Sequence, residues 1–167
     1  MKQFHFIITF FLILSCSRLD PQKELLKGIR LYHADSLNQA IESFTKVISK
    51  NDTCHFCYLY RGFAFKSLNK FDLAIKDFTR LTVIEKNNWE GYANRASVYY
   101  LMNDYQKSLK DFQKSLELDT SATIFYNPIS HMLFITGEKD EACKYYFKAL
   151  QLGDTTFNVQ IVEYCNK

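Results

Sequence analysis

The chain has 167 residues, 47% of them hydrophobic and 16% aromatic, which is enough to bury a core and too much for a disordered tail. Its 21 basic and 18 acidic residues leave a formal charge of +3 and are scattered, with no basic run or stripe to track a phosphate backbone. Nucleic acid is therefore not an expected partner.

Residues 1–15 read as an export signal. Lys2 supplies a positive start, residues 4–14 (FHFIITFFLIL) are apolar but short for a bilayer span, and the small residue Ser15 precedes Cys16. The tetrapeptide Ile13-Leu14-Ser15-Cys16 resembles the lipobox of bacterial lipoproteins, with Ile in place of the usual Leu at its first position. That resemblance implies cleavage before Cys16, lipidation of Cys16 and a lipid-anchored protein of the bacterial cell envelope. An ordinary secretory signal and an uncleaved anchor are the alternatives. Ser17, rather than Asp, after the cysteine favours the outer over the inner membrane under the sorting rule of some bacteria. Buried acyl chains contribute about 0.8 kcal/mol per CH₂. Residues 16–20 would be the tether, reaching roughly 3.5 Å per residue at full extension.

From residue 21 the chain repeats itself. AIESF (40–44), AIKDF (74–78), SLKDF (108–112) and ACKYY (142–146) each start 34 residues after the one before. The units are 21–54, 55–88, 89–122 and 123–156, followed by a fragment at 157–167. Within a unit two apolar patterns run at helical spacing, as in Leu59 and Phe63, then Phe71, Ala74, Ile75, Phe78 and Leu81. Two helices per unit are predicted.

Equivalent positions carry equivalent demands. Position 8 is small (Gly28, Gly62, Ala96, Ser130), as is position 20 (Ala40, Ala74, Ser108, Ala142), so helices can approach closely. Position 24 is aromatic (Phe44, Phe78, Phe112, Tyr146) and fills the space between them. Position 15 (Asp35, Asn69, Asn103, Gly137) tolerates a left-handed backbone and marks the turn. The fourth unit is the loosest, and Pro128 near its start predicts a late helix or a kink.

This pattern resembles the tetratricopeptide repeat (TPR), although the late proline of that repeat is missing, with Asp52, Lys86, Thr120 and Asp154 in its place. The resemblance implies an all-α solenoid of four helix-turn-helix units, with 157–167 as a capping helix built on Phe157, Ile161 and Tyr164. It also implies a scaffold or adaptor rather than an enzyme, with another protein or a peptide segment as partner and no cofactor, metal or small-molecule substrate; a purely structural lipoprotein with an empty or self-filled groove is an alternative. Small lipoproteins of this kind serve envelope assembly. In the family, the first helix of each unit lines a concave groove. Carried over by position, the groove residues are Leu25, Ile29 and Tyr32; Phe56, Leu59 and Phe63; Tyr100; and Asn127, His131 and Phe134. Such a groove would be aromatic and apolar, suited to a segment docked as a helix or an extended strand, unless several of these side chains belong to the core. The carboxylate clamp known in the family is not evident: Asn94 and Arg95 lie in the right helix without the supporting lysine and asparagine positions.

Four cysteines follow Cys16, and export would place them where thiols pair. Cys143 stands where Ile41, Ile75 and Leu109 face the following helix, and that helix carries Cys165. They are read either as a bridge stapling the cap or as two inert buried thiols. Cys54-His55-Phe56-Cys57 resembles a redox motif at a helix N-terminus, but no strand pattern precedes it. A local disulfide or free thiols, a redox pair and a metal site are the three readings, in that order; for metal, His33 lies some ten residues along its helix, roughly 15 Å away.

Overall fold

A computed structural model describes residues 20–119 and 123–167. The expected export signal, Cys16 and most of the expected tether lie outside the described residues. The elements are α1 (Pro21–His33), α2 (Leu37–Ile48), α3 (His55–Ser67), α4 (Phe71–Ile84), α5 (Trp89–Leu101), α6 (Tyr105–Leu118), a 3₁₀ turn (Thr123–Phe125), α7 (Tyr126–Thr136), α8 (Lys139–Gln151) and α9 (Val159–Cys165). Among the described residues there is no strand, and no helix is long and apolar enough to cross a membrane.

The helix boundaries have local causes. Asp20 caps α1, its carboxylate accepting from the amides of Gln22 and Lys23 at 3.0 and 3.3 Å, and Pro21 follows where no amide donor is needed. Asn88 and Asp104 cap α5 and α6 in the same way. Inside each unit the first helix ends on a left-handed residue: Asp35 (φ 56°), Asn69 (55°), Asn103 (59°) and Gly137 (97°). The next amide then closes back on the helix, from Ser36 to Leu31 O at 2.9 Å and from Lys70 to Phe65 O at 2.8 Å, with Asp104 and Glu138 doing the same at 2.9 and 2.8 Å. One turn chemistry is used four times, at the position the sequence marks for it.

The two helices of a unit pack against each other, and the second packs on the first helix of the unit that follows. Phe44, Phe78, Ala40, Ala74 and Ala142 have no exposed surface. Gly28 lies against the ring of Phe44, and Gly62 against that of Phe78. Where the small residue is serine, its hydroxyl bonds to a backbone carbonyl across the pair: Ser108 Oγ donates to Ala96 O at 2.8 Å and Ser130 Oγ to Ala142 O at 2.9 Å. The core runs along the array as successive clusters around Phe44, Phe78 and Phe112.

An ion-pair ladder joins the first three units. Arg61 holds Asp77 with two bonds, Nε to Oδ2 at 2.8 Å and Nη2 to Oδ1 at 2.7 Å, while its Nη1 donates to Thr45 of the unit before. Arg95 repeats this with Asp111 (2.7 and 2.9 Å) and Thr79. In the fourth unit Ile129 and Tyr145 stand at those positions and the ladder stops. That unit also begins late, as Pro128 predicts: the 3₁₀ turn precedes α7, and Pro128 sits in the first turn of α7, where a missing amide donor costs nothing. Its junction with α6 is less extensive than the two junctions before it. At the other end of the unit, α9 buries Ile161 against α8, and a disulfide joins Cys143 to Cys165 with a Cα separation of 5.4 Å.

Candidate functional site

A cavity of about 540 Å³ opens on the side lined by the first helices of units 2 to 4. Its apolar wall is made by Tyr100 and Leu101 of α5, Phe112 of α6 and Pro128 of α7. Polar groups stand at defined places around that wall. The Tyr100 hydroxyl lies 3.1 Å from His131 Nδ1, tying α5 to α7. Asn127 Nδ2 donates to both the carbonyl and the hydroxyl oxygen of Thr156 at 3.0 Å, which holds the segment leading into α9 against the opening.

Lys66, at the end of α3, provides the charge. Its Nζ donates to Ser97 Oγ at 3.2 Å and lies 5.5 Å from the Phe63 ring centre, while Ser97 Oγ donates in turn to Asn94 O. Among the described residues no carboxylate forms an ion pair with it, and burial lowers its pKa from the usual lysine value. An ammonium group with donor capacity left over therefore faces an apolar cavity.

The residues named from the sequence fall into three groups. Tyr100, Asn127 and His131 meet in the cavity, and Phe63 adjoins it through Lys66. Leu25, Ile29 and Tyr32 pack against the core of unit 1, Leu59 is 8% exposed within the core of unit 2, and Phe134 stacks edge-on with Tyr164 of the cap at 5.8 Å. Leu59 thus belongs to the core instead of lining the cavity. Phe56 is 56% exposed but faces a separate hollow with His55, Glu85 and Trp89. There His55 is set between two carboxylates, Nδ1 at 3.1 Å from Glu85 and Nε2 at 3.2 Å from Glu90; the Glu85 contact is an ion-pair approach without hydrogen-bond alignment. Lys66 and Ser97 also line the cavity, from positions 12 and 9, the same ones that supply Tyr100 and His131. Thr156 and Asn158 come from a connection that the repeat pattern says nothing about.

Arg95 is fully engaged with Asp111 and Thr79, so it is not available to a ligand carboxylate. Cys54 and Cys57 form a disulfide across the first turn of α3, with Cys54 partly exposed and Cys57 buried in the core between units 1 and 2. Among the described residues no group of three or more His, Cys, Asp or Glu is placed to hold a metal.

Residues 89–120 match the family profile of the tetratricopeptide repeat. The chain folds as a tetratricopeptide-repeat array. Several solved structures share this fold. A crystal structure of MamA is 24% identical, with a TM-score of 0.76 over 79% of this chain and 77% of MamA. The first TPR domain of Spaghetti (RPAP3), bound to the HSP90 peptide SRMEEVD, is 21% identical, with a TM-score of 0.65 over 71% of this chain and 96% of that one. The TPR domain of Arabidopsis OM64 is 24% identical, with a TM-score of 0.64 over 67% and 93%. Among curated proteins none matches the sequence.

Proposed function

We propose that this TPR array is a membrane-anchored adaptor of the bacterial envelope, tethered through an acylated Cys16, whose concave face holds a segment of another protein. The observation that carries the binding half is the union in one cavity of an apolar wall (Tyr100, Leu101, Phe112, Pro128) with the unpaired ammonium group of Lys66. A segment offering an apolar side chain beside a carboxylate satisfies both. The peptide held by the RPAP3 TPR domain is a precedent for a short segment bound by this fold. The anchoring half rests on Ile13-Leu14-Ser15-Cys16 and on the short span from Cys16 to the start of α1.

The test is site-specific photo-crosslinking of the full chain in intact cells. A crosslinker at Ser97 or Leu101 is expected to trap one stoichiometric protein, and Tyr100→Ala should lower its recovery about tenfold, as for a buried aromatic contact of about 1.4 kcal/mol. Equal trapping from the exposed α6 position Lys110 would reject the groove.

The Cys54–Cys57 bridge supports a second reading, a thiol-disulfide protein, because Cys54 is partly exposed at a helix N-terminus. Insulin reduction that is the same for the native chain and for Cys57→Ser removes it.

A further inference from the structure

The outer face of α1 carries a charge pattern that the repeat does not require. At positions 3, 7 and 10 of units 2, 3 and 4 the side chains are covered by the preceding unit: Cys57, Gly91 and Phe125 at position 3, and Ala64, Val98 and Met132 at position 10, are all buried. Position 7 holds Arg61 and Arg95, locked to their aspartates, and the buried Ile129. Unit 1 has Lys23, Lys27 and Arg30 at these positions, all exposed. An end face needs only to be polar, and this one is selectively basic.

Two carboxylates nearby offset part of this charge, and neither pairs with Arg30. Glu24 bonds Lys27 at 3.2 Å but keeps only 14% of its side chain exposed, and its pKa is lowered first by the Ser43 hydroxyl. Asp20 is the helix cap, 4.0 Å from a Lys23 side chain that is 87% exposed. Arg30 has no carboxylate partner among the described residues. Between the basic side chains Leu26 is 56% exposed, and Lys46 of α2 stands where Arg80, one unit later, reaches back to Asp52.

We infer that this end of the array is a membrane-docking face, which lays α1 along anionic lipid headgroups with Leu26 toward the acyl boundary. The inference rests on the acylated Cys16 of the proposed function, because only residues 17–19 separate that anchor from the helix cap. At roughly 3.5 Å per residue the four steps from Cys16 to Asp20 hold the start of α1 within about 14 Å of the anchor, less than two Debye lengths of about 8 Å, while the far end of the helix is not held by the tether. Each basic side chain near an anionic surface multiplies the docked population by roughly fivefold. Docking by this face would stand the array on its N-terminal end and turn the groove sideways, open to a partner in the same envelope layer.

The test uses the full acylated chain, reconstituted in phosphatidylcholine vesicles with or without phosphatidylglycerol, and a headgroup-located quencher. One fluorophore is placed at Ala34→Cys, the far end of α1, roughly 20 Å from the tether along the helix. A second is placed at Lys148→Cys on α8. Quenching at 34 is expected to rise severalfold with phosphatidylglycerol, to fall in high salt and to be lost in Lys23→Gln/Lys27→Gln/Arg30→Gln, with position 148 unchanged. These three side chains are solvent-exposed, so circular dichroism of the variant should match the native chain. Equal quenching on both vesicles, or in the variant, overturns the docking face while the anchor stands. Protein isolated from membranes without acyl mass on Cys16 overturns the anchor, and the docking face with it.

Discussion

A methyl group added at Gly28 would meet Phe44 Cε1 at 2.6 Å, and one added at Gly62 would meet Phe78 Cε1 at the same distance. Both rings are fully buried and have nowhere to turn. Overpacking costs about 1–3 kcal/mol, against a helix-propensity gain of about 1. Gly62→Ala should therefore destabilise by up to about 2 kcal/mol, seen as a lower urea midpoint at unchanged slope. The pairing behind this prediction was legible, because small and aromatic residues alternate at fixed positions four times. Lys66 was not, since a lysine in the last turn of a helix reads as a solvated charge; its burial follows from where α5 and α7 pass. Burial lowers its pKa, so Lys66→Met is expected to stabilise the free protein near neutral pH while weakening capture of an acidic segment. The folded chain releases this proton at lower pH than the unfolded chain. Native stability therefore gains as pH rises between the two values, and the advantage of Met should shrink across that alkaline window in paired melting curves.

At the scale of helices, the two ladder pairs sit close to balance. Burial outweighs pairing at Asp77, whose pKa is raised, whereas the Asp111 bond outweighs burial at Arg95, whose pKa is raised as well. The first favours the neutral acid and the second favours the ion, although the geometry is nearly the same. Exchanging a buried pair for apolar residues of similar volume is often neutral, so the pairs are expected to set register more than they add stability. Removing one partner is a different matter: Asp77→Ala strands Arg61 and should cost about 3–5 kcal/mol, whereas Arg61→Met with Asp77→Leu should lie near the native value by chemical denaturation. The ladder was invisible in the sequence because each arginine, the aspartate of its own unit and the threonine of the unit before look like ordinary surface residues until the helices are superposed.

Across the whole molecule, stability is shared between neighbours, so the ends matter more than their size suggests. The seven residues of α9 cannot hold a helix alone. Closing the loop between Cys143 and Cys165 contributes about 3 kcal/mol in the chain-entropy picture. Cys165→Ser should lower stability by about that amount and free the amides of α9 and α8 to exchange first, before those of units 1 to 3. The 34-residue period made the solenoid, its turns and its cap readable in advance. The cavity was only half readable, because it depends on how the array curves and on Thr156 and Asn158 in the connection before α9.

The ladder of arginines and aspartates ends one unit short of the C-terminus, and the cavity lies across that boundary, with Lys66 and Ser97 on one bank and Asn127 and His131 on the other. The fourth unit is joined to the third through a smaller helix junction and the Tyr100–His131 contact at 3.1 Å, and is stapled at its own far edge. A change of angle at this one junction would widen or narrow the mouth of the cavity without disturbing the arginine–aspartate pairs of the second and third units.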